Sequence, residues 1–209
     1  MNDRKMNAAF ELRDLLEDLE RNGTNVIDMV RDGQPLVPWR LYPEDSGIFD
    51  RRTRCQFYYH SHGIDTEAGH FHTVRLFDDH TAHLIAISMT TDGWPQALFT
   101  LNLWAIGDAY ETAGNLRRYV RDFHLAEHVS PPPLVRFVNL IFQAFGPQIE
   151  QLQEQKIETL SRYRAAHPDH DVFEDRSMEI PSRVAIDIRA PAALAASTRR
   201  RLVNRRKPA

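Results

Sequence analysis

The residues of this chain best suited to chemistry are its histidines. Ten occur in 209 residues, and four of them form two H-x-H pairs, His60-Ser61-His62 and His70-Phe71-His72. A chain of this composition yields roughly half an H-x-H pair by chance, so two in close succession form a pattern. In an extended strand, residues two apart point to the same face. His60 and His62 therefore share a face with Gln56 and Tyr58, and His70 and His72 share a face of the next segment. Paired as a hairpin in the right register, the two segments bring four imidazoles to one end of one sheet face.

Neutral imidazole is the commonest protein ligand for transition metals, and strands place ligands more rigidly than loops do. A site made of His60, His62, His70 and His72 suits Fe(II), Zn(II), Mn(II) or Cu(II), and spacing alone does not choose among them. With positions left open, iron there would activate dioxygen, or zinc would lower the pKa of a bound water. The connecting loop adds Asp65 and Glu67 as oxygen ligand or general base, with Glu67 the catalytic candidate. Tyr58 flanks the pairs, and His83 near the start of the next apolar run is placed to orient a ligand or to add one.

These residues need a sheet to hold them. Asn7 to Arg21 carries apolar residues at helical spacing, and a short helix over Val26 to Arg31 ends before Gly33 and Pro35. WRLYPEDSGIFD reads as loop. From residue 55 to about 103, four apolar segments (CQFYYHSH, HFHTVRLF, AHLIAISMT, QALFTLNLW) are separated by short turns, which predicts an antiparallel four-stranded meander. Helices are expected over Ala113 to Glu127, over Leu134 to Phe145, and again after Gly146-Pro147, with MEI and VAIDI as short edge strands. The fold class is α+β, with the central meander flanked by N-terminal and C-terminal helices. Residues 1–190 are expected to form one domain and 191–209 a basic tail.

Composition narrows the function classes. Apolar residues make up 42% and charged residues 26%, which fits a globular protein and excludes large-scale disorder. No run is long and apolar enough for a membrane span, and the start lacks a secretory apolar region, so a cytoplasmic location is expected. Cys55 is the only cysteine, so no disulfide forms within the chain and a Cys-rich metal site is excluded. Six of the 26 basic residues crowd into RRRLVNRRK at the end, leaving the body acidic. The body is therefore no nucleic-acid reader; only the tail has the charge for one. The expected partner is a small-molecule substrate, and nothing fixes the oligomeric state.

Other clusters carry less. His124-Leu125-Ala126-Glu127-His128 matches H-x-x-E-H and resembles a fragment of the inverted zinc-peptidase motif, although histidines in a last helical turn are also explained by the helix dipole. His167-Pro168-Asp169-His170-Asp171 reads as a solvated loop. Parity puts Cys55 on the opposite strand face from His60, which disfavours a Cys–His nucleophile pair. Trp94, Asn102 and Trp104 read as core, with a substrate wall as the alternative.

The eight residues from His60 to Glu67 resemble the ligand core of the first cupin motif. The glycines of that motif fall on Arg54 and Val74 here, so the likeness is one of metal chemistry. A wider resemblance covers Phe57 to Trp104, about a quarter of the chain, through FYYHSH, EAGHFHTV, HLIAISM and DGWPQALFTLNLW. These segments are similar to an uncharacterised bacterial domain-of-unknown-function family with the pattern YYHxH, GHFH and HLxAIS. That resemblance implies no activity. The sequence reading is thus a metalloprotein with a mononuclear His-rich site, acting as an oxygenase- or hydrolase-type enzyme. A non-catalytic metal-binding or sensing module is the alternative, a zinc peptidase of the H-x-x-E-H kind the third, and a metal-free domain the bland reading.

Overall fold

The structure, a computed structural model, describes residues 3–43, 46–63, 66–107 and 109–189. Asp65 and the basic tail therefore lie outside the described residues. The order of elements is α1 (Asp3–Arg21), α2 (Val26–Arg31), β1 (Ile48–Asp50), β2 (Cys55–His60), β3 (Gly69–Leu76), β4 (Thr81–Met89), β5 (Pro95–Thr100), α3 (Leu103–Ile106), α4 (Ala113–Asp122), α5 (Pro132–Ala166) and β6 (Ser182–Ala185). No helix among the described residues is long and apolar enough to cross a membrane.

The class is α+β, and the sheet is antiparallel with strands in the order β1-β2-β3-β4-β5-β6. The expected four strands are its centre, β2 to β5, and an edge strand is added on each side. β1 pairs Ile48 with Phe57 and Asp50 with Cys55, in a stretch expected to be loop. Three residues amid turn formers are too short to carry the alternation that marks a strand. β6 pairs Ala185 with Ala97 and Ser182 with Thr100, so one strand replaces the two short ones expected there.

The two faces of the sheet differ. Cys55, Phe57, Tyr59, Phe71, Ile85, Ile87, Met89 and Leu98 join the main core with side chains of α1, α2, α4 and α5, among them Leu12, Val30, Val120 and Phe137. The alternate residues, Tyr58, His60, His70 and His72, point the other way, where Ala86, Phe99 and Leu101 form a smaller cluster.

Two helical expectations and one for a strand need correction. α5 is one helix of 35 residues, not two separated at Gly146-Pro147. Pro147 removes one backbone bond to Gln143, but both residues are exposed, so water can serve that carbonyl, while buried Phe145 and Ile149 hold the core side in line. The fourth strand stops at Thr100, because the Asn102 side chain accepts from Leu103 N (2.8 Å) and starts the turn of α3. α4 ends at Asp122, five residues early. There the Asn139 amide accepts from Leu125 N (3.0 Å) and donates to Leu125 O (2.8 Å), and Ala126 N donates to Asp50 (2.7 Å), which holds the chain extended.

Candidate metal centre

The site begins with register. β2 and β3 pair His60 with His70 and Tyr58 with His72, so three imidazoles leave the same face of adjacent strands. His62 lies just beyond the end of β2. Gly69 makes this pairing possible: its φ is +147°, and a Cβ there would sit 2.4 Å from His60 O and 2.5 Å from the Tyr59 hydroxyl. Only a residue without a side chain fits so close to the neighbouring strand.

The rings converge on one atom. His60 Nε2 lies 2.9 Å from His70 Nε2, 3.1 Å from His72 Nε2 and 3.2 Å from His62 Nε2. The ligand nitrogens of His60, His70 and His72 all fall within 4.8 Å of one another, close enough to hold a single metal ion. At metal–nitrogen distances of 2.0 to 2.1 Å, tetrahedral ligands stand about 3.3 Å apart and cis octahedral ones about 2.9 Å. The three separations from His60 Nε2 fall within that interval. Hydrogen bonding does not account for all three at once, since a ring nitrogen offers either one N–H or one lone pair and His60 Nε2 meets three neighbours.

Partners behind the rings set their tautomers. His70 Nδ1 donates to Glu67 Oε1 (2.7 Å), which leaves the lone pair of a neutral His70 on Nε2, facing the cluster. Ser88 Oγ donates to Glu67 Oε2 (2.5 Å), and Gln96 Nε2 donates to Ser88 Oγ (3.1 Å). His72 Nδ1 is 3.0 Å from His83 Nε2, which places His83 behind His72 in the same way. A carboxylate or second imidazole on the far nitrogen is the usual way in which a metal-ligating histidine is oriented. The Tyr58 ring stacks on His72 at 4.7 Å between centroids and 16° between planes.

Electrostatics favours lone pairs over protons here. Burial, reinforced by the neighbouring imidazoles His70 and His62, pushes His60 down to about 3 against the opposing pull of Glu67. Burial comes first for His62, with His70 next, and for His72 and His83 burial lowers the pKa further still, aided by His83 and Lys156 respectively. Burial pushes the Glu67 carboxyl up, but the hydrogen bonds from His70 and Ser88 prevail and hold it below the ordinary glutamate value. Burial thus disfavours the protonated form of His60, His62 and His72, and the Glu67 carboxylate stands behind His70.

His70 and His72 are each 3% exposed, whereas His60 and His62 are half-buried, so the cluster meets solvent on the His60–His62 side. Trp39 guards that side. Its ring stacks on His62 at 4.2 Å and 18°, stands edge-on to His60 at 6.2 Å, and remains 68% exposed. Trp39 was invisible to the sequence reading, because a lone aromatic in a turn-rich segment has no spacing to read. Its place comes from a backbone bond, Trp39 N to Ser61 O (2.8 Å), outside any strand. Ser88 did carry a signal, as a hydroxyl inside the apolar run HLIAISM.

The remaining candidates do not assemble. His124, Glu127 and His128 are exposed and lie beyond α4, so no helix presents the two histidines on one face as the peptidase motif requires. His167 and His170 are exposed loop residues with ring centroids 6.0 Å apart. Cys55 is buried on the core face, away from the imidazoles. Asn102 caps α3 and bonds Val172 O, and Trp104 donates to Met178 O, so both serve structure.

A family model, DUF6969, a domain of unknown function, matches residues 6–186. The chain belongs to this family. The match takes in the helices on both sides of the sheet as well as the histidine strands, far more of the chain than the motifs alone. No significant match to the chain was found among curated proteins or among solved structures.

Proposed function

We propose that this DUF6969 domain holds one divalent transition-metal ion (iron, zinc, manganese or copper) on Nε2 of His60, His62, His70 and His72, and works on a small-molecule substrate as an oxygenase- or hydrolase-type enzyme. One observation carries the reading: three imidazole nitrogens stand within 3.2 Å of His60 Nε2, an atom able to make one hydrogen bond. A cation at their centre satisfies all four lone pairs. Once bound, the ion would act as a Lewis acid or redox centre toward a ligand at its open position.

The chain's own residues supply the rest. His70 is aimed by Glu67 and His72 by His83, so two of the four donors are fixed before any metal arrives. Glu67 holds His70 and Ser88 with its two oxygens, which supports an orienting role in place of direct ligation or base catalysis. A sphere of four imidazoles leaves room for an exogenous ligand in five- or six-coordinate geometry. An open position of that kind is what an enzyme needs, whereas a four-coordinate tetrahedral sphere would be saturated. Substrate would approach past Trp39 and His62, the exposed side of the cluster.

The test is elemental analysis of purified protein after exposure to each of the four ions. About one metal per chain is expected, lost in His60→Ala and His72→Ala and kept in His124→Ala, with circular dichroism confirming the fold of each. Protein that takes up none of the four ions defeats the proposal.

A further inference from the structure

We infer that the ligand at this site is a small organic anion bearing a carboxylate beyond its metal-binding group, and that Arg183 receives that carboxylate. This rests on the metal-site reading above and extends it to a substrate class.

Charge makes the first argument. Coordinating imidazoles are neutral, so four of them leave both positive charges of a divalent ion uncompensated. Among the described residues the facing charges are few. Glu67 contributes one negative charge through His70, and exposed Glu179 lies within electrostatic range of His62. Lys156, across His83, and Arg183 add positive charge. With metal bound the balance around the cluster is positive, and a fixed positive field favours an anionic ligand over a neutral one.

Position makes the second. Arg183 belongs to the edge strand β6, and its guanidinium lies over the Phe99 ring, 5.2 Å from the centroid. The Phe99 ring in turn meets His70 edge-on, with centroids 5.2 Å apart. One aromatic ring therefore separates the guanidinium from a metal-binding imidazole. Phe99 is 2% exposed whereas Arg183 is exposed, so the cation is what an incoming molecule meets at this rim.

Availability makes the third. Among the described residues no carboxylate forms an ion pair with Arg183. Glu67 lies within its electrostatic reach, but both Glu67 oxygens are already engaged. A guanidinium resting on an apolar ring without a counter-ion keeps its fork of donors free for a carboxylate. A ligand that reaches both the metal and Arg183 must bridge the width of Phe99, which selects a molecule with two separated anionic groups over a single-headed one.

The experiment uses the full chain loaded with Cu(II), followed by visible absorption and electron paramagnetic resonance. Azide and acetate probe the open position alone; succinate and glutarate probe the position together with Arg183. One of the dicarboxylates is expected to bind about tenfold more tightly than acetate, the worth of one charge-assisted hydrogen-bonded contact. Arg183→Gln should abolish that advantage, weaken azide and acetate only to the same small extent through its lost charge, and leave copper content unchanged, and Arg183→Lys should keep part of it. Equal binding of acetate and both dicarboxylates in the unaltered protein, or a dicarboxylate preference that survives Arg183→Gln, overturns the inference and leaves the metal site standing. Failure to take up copper or any of the other three ions overturns both.

Discussion

Removing the Glu67 carboxylate separates its orienting role from direct ligation. Its side chain is 9% exposed, with one oxygen 2.7 Å from His70 Nδ1 and the other 2.5 Å from Ser88 Oγ. A hydrogen bond to a charged group is worth about 1.5 to 3 kcal/mol net. At about 1.4 kcal/mol per factor of ten, losing the His70 contact should weaken metal binding by about 10- to 100-fold, the range known for partners behind metal-ligating histidines. Glu67→Gln keeps an oxygen acceptor for the His70 N–H and loses the charge, so about tenfold is expected. Glu67→Ala loses both and should approach a hundredfold. The assay is competition with a chromophoric chelator at fixed pH, with urea unfolding of the metal-free variants to separate affinity from stability. Glu67→Ala affinity within twofold of the unaltered protein refutes the orienting role. A loss as complete as that of His60→Ala refutes it from the other side, because the carboxylate would then be a ligand.

Acid should destabilise the metal-free protein. The pKa values of buried His72 and His83 are depressed in the folded state, so only the unfolded chain takes up protons as pH falls through about 6.5. Their contribution is complete above that pH and declines below it by up to about 1.4 kcal/mol per pH unit for each ring. Urea unfolding with chelator present, from pH 7.5 to 5.0, measures this, and a flat profile would contradict the burial of neutral rings. Asn139→Ala should cost about 3 kcal/mol, since it strands the buried N–H and C=O of Leu125. A loss under about 1 kcal/mol in the same assay would show that the 123–126 segment is held by something else.

Much of the site was legible before the fold. The two H-x-H pairs announce their shared face because strand periodicity is local, and His83 is marked as a partner by its place early in the next strand. The inward side of α5 could also be read, down to buried Lys156 among Leu152 and Leu160. What misled was local signal without its context. Gly146-Pro147 looked like a break, but the buried stripe on either side, from Phe145 to Ile149, carries the helix through it. H-x-x-E-H looked like a helical motif, but Asn139, a residue of another helix, captures the Leu125 backbone and stops α4 short.

The sequence by itself determined that His70 and His72 share a face of one strand, as His60 and His62 do of the extended segment before it, because alternation is a property of the local chain. It also determined that a chain with one cysteine must build any metal site from nitrogen and oxygen. Only the tertiary structure decided that the rings meet within 3.2 Å of His60 Nε2. The same is true of Glu67 turning to His70 and Ser88, of Trp39 lying across His62, and of Arg183 resting over Phe99. Those contacts depend on strand register, on the room Gly69 leaves between strands, and on segments distant in sequence packing onto the same face, and no local pattern of residues encodes them.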